Sequence, residues 1–215
     1  MLLPFLLCLA CANVQGQQSP SELPTEIQPM PIRLTLESPD ELPALQHTLN
    51  STTERQQFVI QLGPGPFHNT VLAFGSQNAS SPKHDLEIEG QATVLENSSL
   101  MAIGETVAVR GIRTSGAPSS GPPIRVHANE SIRLSNVHIS QLSARPKSRG
   151  VRARGGAAEL RALTDGVIAH LEHVTLMESA QPISFASKPG GRFADIQLDS
   201  VRLHATAHPA ISTGP

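Results

Sequence analysis

One eight-residue pattern occurs three times in this chain and narrows the folds open to it more than any other feature. Ile132–Ile139 reads Ile-Arg-Leu-Ser-Asn-Val-His-Ile, Ala169–Leu176 reads Ala-His-Leu-Glu-His-Val-Thr-Leu, and Ile196–Leu203 reads Ile-Gln-Leu-Asp-Ser-Val-Arg-Leu. Each copy is an apolar-polar-apolar triplet, a two-residue corner and a second such triplet. Leu134, Leu171 and Leu198 correspond, as do Val137, Val174 and Val201; the last two copies stand 27 residues apart and the first two 37. Alternation with a period of two marks half-buried strands. A third short strand accompanies the copies: Ile124-Arg125-Val126, Ile183-Ser184-Phe185 and Ala210-Ile211-Ser212. Short strands recurring at a period in the twenties predict stacked repeats. One repeat buries too few side chains to offset the entropy of ordering its backbone. Neighbouring repeats must therefore complete its hydrogen-bond ladders, which calls for parallel strands.

The rest of the 215 residues suits one domain of this kind. With six Phe, no Trp and no Tyr, the core has to be aliphatic, and eighteen Pro with sixteen Gly imply many turns and few long helices. Leu2–Ala12 is apolar, too short to span a bilayer, and shaped like the hydrophobic part of a secretory signal peptide, although no Lys or Arg precedes it. Residues 1–16 are expected to be that signal, with Ala10-Cys11-Ala12 or Val14-Gln15-Gly16 at the cleavage site. Its removal takes Cys8 and Cys11 with it and leaves no disulfide to staple the fold. Residues 17–37, rich in Pro, Ser and Gln, are expected to be a linker, with Ile32–Leu36 alternating like a short first strand. The domain is expected over 38–215. Ser38-Pro39-Asp40-Glu41 has capping-box form, and Pro43 is welcome at a helix start, so a short helix should bury Leu42, Leu45 and Leu49. Strands follow at Phe58–Leu62, Thr70–Phe74, Leu86–Gly90 and Val107–Ile112.

Three stretches give the chain a family likeness. Leu42-Pro43-Ala44-Leu45-Gln46, then Val59-Ile60-Gln61-Leu62, then Pro64-Gly65-Pro66-Phe67, form a helix, a strand and a Pro-Gly turn. Leu86-Glu87-Ile88-Glu89-Gly90 is a strand closed by glycine, and the triple repeat runs from Ile124 to Ser212. Together they resemble the pectin-lyase-like superfamily over roughly residues 42–213. That resemblance implies an all-β fold, a single-stranded right-handed parallel β-helix (a solenoid) with a short N-terminal capping helix. It also implies a tight corner between the family's second and third strands, on which Asn136, His173 and Ser200 fall. The family's Asn ladder is not reproduced, since only the first of the three is Asn. Such scaffolds carry many activities, so the likeness speaks for fold and not for a reaction.

No catalytic constellation stands out. Glu87 and Glu89 share a strand face with Arg110 nearby, and Asp195 and Asp199 share a side, but neither pair has the further ligands a calcium site needs. His170-Leu171-Glu172-His173 has neither zincin nor deaminase spacing. His204 and His208 lie on strand and turn, where helical ligand spacing has no meaning. No Gly-x-Ser-x-Gly, phosphate loop or cofactor motif occurs, and no cofactor or metal is expected. The unusual stretch is Ser143–Asp165, which lengthens the first repeat interval. It holds Arg145, Lys147, Arg149, Arg152, Arg154 and Arg161 against Glu159 and Asp165. Forked Arg-carboxylate or Arg-sulfate pairs there would suit an acidic polysaccharide; the plainer reading is a protease-sensitive loop with a short helix near Ala157–Leu163. Asn50, Asn78, Asn97 and Asn129 lie in Asn-x-Ser/Thr sequons, acceptors of glycan in a eukaryotic secreted protein.

Net charge of -2 argues against a nucleic-acid partner, and no membrane span is expected. The leading expectation is a secreted or surface-exposed β-helix, periplasmic or extracellular in a bacterium, that binds a polysaccharide or cell-surface glycan or mediates contact. The alternatives are a polysaccharide lyase or glycoside hydrolase of pectin-lyase-like type, and a truncated, non-catalytic β-helix copy. Because Ile211-Ser212-Thr213 begins a new repeat with no amphipathic cap after it, an end-to-end contact is expected there.

Overall fold

The computed structural model describes residues 30–75, 84–116, 118, 121–140, 157–177, 183–187, 191–204 and 211–213. These residues are overwhelmingly strand. In chain order they form β1 (Ile32–Leu36), a 3-10 turn (Pro39–Glu41), α1 (Leu42–Ser51), β2 (Gln57–Leu62), β3 (Pro66–His68) and β4 (Val71–Phe74). Next come β5 (Asp85–Glu96), β6 (Ser99–Ser115), β7 (Ile124–Ser135), β8 (His138–Ser140), β9 (Ala158–Ala162) and β10 (Asp165–Glu172). The series ends with β11 (Thr175–Met177), β12 (Ile183–Ser187), β13 (Arg192–Asp199), β14 (Arg202–His204) and β15 (Ile211–Thr213).

All pairings among these strands are parallel and fall into three rows. In row one, Leu34, Ile60, Ile88, Val109, Leu134, Leu171 and Leu198 lie side by side in successive strands. Row two aligns Phe67, Leu95, Thr114, Ile139, Leu176 and Leu203. Row three aligns Leu72, Leu100, Ile124, Ala158, Ile183 and Ile211. The long strands β5 and β7 each serve two rows, and β6 serves all three. Leu134 and Leu171 are fully buried in one continuous aliphatic core, as the repeat demanded. Leu198, their counterpart in the last described strand of row one, is 44% exposed, because no further strand covers it among the described residues.

The corner between rows one and two is built as the sequence pattern implied. Asn136, His173 and Ser200 adopt φ of 53°, 53° and 54°, the left-handed region. That region costs an L-residue about 1–2 kcal/mol. The cost is met by keeping the ladder intact around the bend: the Asn136 N–H donates to the Glu172 carbonyl at 3.0 Å and the His173 N–H to the Asp199 carbonyl at 2.9 Å. Gly111 holds the equivalent place with φ of 68°, and a Cβ there would lie 2.4 Å from the Gly90 carbonyl oxygen. Only glycine fits that approach.

At the other end, α1 substitutes for strand. Leu45 and Leu49 are buried against the core and Leu42 packs beside them. The Gln46 amide donates to the Ala73 carbonyl at 2.9 Å, supplying the edge strand β4 with a partner that no neighbouring strand gives it. Glu41 folds back to accept from the Glu37 and Ser38 N–H groups, completing the expected box. β1 pairs with β2 in full register, so the first strand lies inside the stretch assigned to a linker, and the folded part starts no later than Ile32 rather than at 38. Arg55 forks onto both oxygens of Asp85 and both of Glu130, clasping the bend between rows three and one.

One local expectation fails. Ala157–Leu163 is not a helix: Ala158–Ala162 is β9, with Ala158, Leu160 and Ala162 facing inward. Its Ala, Glu, Leu and Arg residues favour helix intrinsically. Pairing with β7 on one side and β12 on the other outweighs that preference. The chain segments with residues 1–29, 78 and 141–156 lie outside the described residues, and with them the expected signal peptide, most of the linker, Asn78 and the cluster Arg145, Lys147, Arg149, Arg152 and Arg154.

The equivalent leucines separate core from surface in one experiment. Leu171→Ala should cost about 2–5 kcal/mol of unfolding free energy and Leu198→Ala about 1 kcal/mol or less, read from denaturant midpoints. Equal losses would contradict the placement of Leu198 at an uncovered rim.

Candidate functional site

Inward-facing alternation on β7 and β9 forces their intervening residues outward. On β7 these are Arg125 and His127; on β9 they are Glu159 and Arg161. Parallel register sets Arg125 beside Glu159 and His127 beside Arg161. The next strands in the row contribute Met101 and Ile103 on one side and Ser184 and Ala186 on the other. The outer face of row three thus carries a compact charged patch between apolar and small residues.

Glu159 is the hub of this patch. Its Oε1 accepts from Arg161 Nη2 at 2.8 Å. His127 Nε2 lies 3.5 Å from the same oxygen, within ion-pair range but too long for a well-formed hydrogen bond. The His127 side chain is 12% exposed and that of Glu159 22%. The long contact with His127 and the positive charges of Arg161 and Arg125 lower the Glu159 carboxyl from the usual carboxylate range, against burial, which pushes it up. Among the described residues of this face, three basic side chains surround one carboxylate. Moreover, His127 Nε2 and Arg161 Nε are buried without a hydrogen-bond acceptor. A buried, unsatisfied donor costs about 1–3 kcal/mol, and both atoms are closed to solvent.

Of the basic residues singled out in the sequence, Arg161 is the described one, and it belongs to this patch. Its companions Arg125, His127 and Glu159 were missed as a site. The signal that could have found them is the strand alternation in Ile124-Arg125-Val126-His127-Ala128 and Ala158-Glu159-Leu160-Arg161-Ala162, aligned as neighbours.

The other candidates disperse. Glu87 and Glu89 both pair with Arg110, with Arg110 Nε 3.2 Å from Glu89 Oε1. Glu172 is taken by Arg133 at 2.8 Å, which lowers its carboxyl from the ordinary range. His173 sits at the corner with its Nδ1 3.6 Å from Glu172 Oε1. Asp195 accepts from Gln197 and Asp199 from Ser200. Among the described residues no three His, Cys, Asp or Glu gather as a metal site. Asn50 is exposed at the end of α1, and Asn97 is exposed at a corner with φ of 49°. Asn129 spends its amide on both Glu105 oxygens, at 3.1 and 3.2 Å, so a glycan there would have to displace both bonds. No described helix is long and apolar enough to cross a membrane.

No protein-family model matches the chain, and no curated protein matches it in sequence.

The patch makes stability depend on pH with a definite sign. A carboxyl held low in the folded state stabilises fully above its unfolded value, and that contribution is lost as pH falls through the folded value. Glu159→Gln should therefore melt below wild type near pH 7, and the gap should shrink below about pH 4 and close in stronger acid. A gap in melting temperature that persists unchanged into strong acid would refute this account of Glu159.

Proposed function

We propose that the chain is a right-handed parallel β-helix, secreted or displayed at a surface, that binds acidic carbohydrate on the outer face of row three. The observation that carries the reading is the outer patch of Arg125, His127 and Arg161 around Glu159, the one carboxylate of this face among the described residues. Carboxylate or sulfate groups on a sugar are the acceptors that geometry suits, and guanidinium forks bind both in two-pronged fashion. The three-row parallel architecture and its left-handed corners support the β-helix. The apolar leader and the sequons support secretion. The basic stretch at 145–154 supports an acidic ligand further, since it leads within a few residues into β9. With no Trp or Tyr in the chain, sugar faces have no large aromatic platform, and recognition rests on charge and hydrogen bonds. A polysaccharide lyase or glycoside hydrolase would need two or three converging carboxylates or an Arg-acid pair; the described residues of this face hold no second carboxylate, while the Arg161–Glu159 pair supports the lyase as the second reading.

Binding to immobilised polygalacturonate, to a sulfated dextran and to neutral dextran tests the proposal. The chain should be retained by the acidic polymers and not by the neutral one, and the His127→Gln/Arg161→Gln double variant should bind about tenfold more weakly. Equal retention on all three matrices, or an unaffected double variant, would overturn it.

A further inference from the structure

The corner between rows one and two holds an open groove of about 670 Å³, with Arg113, Asn136, His138, His173 and Thr175 among its lining residues. Glycine makes room for it. Gly111 takes the corner place that Asn136 and His173 hold in the next two repeats, and a Cβ there would lie 2.4 Å from the Gly90 carbonyl oxygen. The side chain missing at that place leaves a hollow beside Arg113.

Register arranges the walls. Arg113, His138 and Thr175 are partners in successive strands of row two. Asn136 and His173 are the left-handed residues two positions before His138 and Thr175. Parallel strands step by about 4.8 Å, and two residues of chain span at most about 7 Å. A guanidinium, two imidazoles, a carboxamide and a hydroxyl therefore border one small cell. No carboxylate lines it. Arg55, Arg110, Arg133 and Arg161 each meet a carboxylate, whereas the exposed Arg113 makes no ion pair among the described residues. Glu172 lies 3.6 Å from His173 Nδ1 but is engaged by Arg133 at 2.8 Å.

We propose that this groove binds a single phosphate group, as inorganic phosphate or as a phosphate monoester. The Arg113 fork takes two of its oxygens, and the others fall to His138, His173, Asn136 and Thr175. A tetrahedral group suits donors that arrive from two ladders on three strands, where a planar carboxylate presents two oxygens only. A phosphate that keeps a proton also finds an acceptor in the Asn136 or Thr175 oxygen, or in a neutral imidazole nitrogen; sulfate brings no such proton. The site goes beyond the polysaccharide reading and does not rest on it, because it shares no residue with the row-three patch.

Calorimetric titration with inorganic phosphate, glucose 6-phosphate, sulfate and glucose tests the proposal, together with co-sedimentation on vesicles of phosphatidic acid or of phosphatidylserine. Phosphate or its monoester should bind, and sulfate and glucose about tenfold more weakly or not at all. Arg113→Gln should weaken phosphate binding about tenfold, with Arg113→Lys retaining more of it. The same variant should melt at the wild-type temperature, which separates lost binding from lost folding. Arg161→Gln should bind phosphate as the wild type does. The tightest of free phosphate, sugar phosphate and phosphatidic acid identifies the source of the group. Absence of phosphate binding, or undiminished affinity in Arg113→Gln, would overturn the groove. Loss in Arg161→Gln instead would place the anion on row three and overturn it equally. Sulfate bound as tightly as phosphate, or phosphatidylserine vesicles binding the chain as well as phosphatidic acid ones, would refute the choice of a phosphate monoester or its free ion.

Discussion

Every strand in this molecule depends on backbone partners that lie far from it in the chain. Phe58 is held by Ile32 on one side and Leu86 on the other, and Leu171 by Leu134 and Leu198. A strand of three residues such as β8 has no independent stability; it exists because β6 and β11 flank it. The two long-range ladders on either side of each strand fix its register, and register in turn decides which side chains face the core. The corners obey the same requirement. Residues at Asn136 and His173 accept a left-handed backbone because only that bend lets the N–H reach the carbonyl one repeat further on.

Much of this could be read in the residues. Alternation located Leu134, Leu171 and Leu198 as equivalents, and the interruption between triplets located the bends at Asn136, His173 and Ser200. Where strand signals were weak, the reading fell short. Ala158–Ala162 lacks β-branched residues and looks helical in isolation; its strand form comes from β7 and β12, not from itself. Residues 99–103 and 93–96 were passed over among loops, though they continue β6 and β5 into further rows. The charged patch was half visible. Arg161 stood out as part of a basic stretch, while Arg125 and His127 gave no sign because their proximity to Glu159 arises from register across some thirty residues. The hollow at the corner between rows one and two had no sequence motif at all, since its shape comes from Gly90 and Gly111 meeting backbone to backbone.

The outer faces differ in how they dispose of charge. Along row one, several charges pair between neighbouring strands: Arg110 with Glu87 and Glu89, and Arg133 with Glu172. Arg55 likewise binds two carboxylates at once. These exposed pairs contribute little stability each, but they leave those surfaces electrically quiet. On row three and at the first corner the balance shifts, with basic side chains outnumbering acids. The described faces of the molecule thus differ in local charge, although the chain as a whole is only slightly anionic.

The tight corner has a consequence for how such a chain can vary. Asn136-Val137, His173-Val174 and Ser200-Val201 keep the same two-residue length, although the intervals between the copies are 37 and 27 residues. The surplus is therefore taken up after β8, where the chain passes from row two to row three, and not at the bend itself. Foreign sequence spliced in after Ser140 would leave both flanking ladders in register, whereas a single added residue at Asn136 would turn one strand's core side chains outward. The corners between rows one and two thus keep a fixed length, while the passage from row two to row three ranges from the two residues Asn97-Ser98 to the seventeen between Ser140 and Ala158.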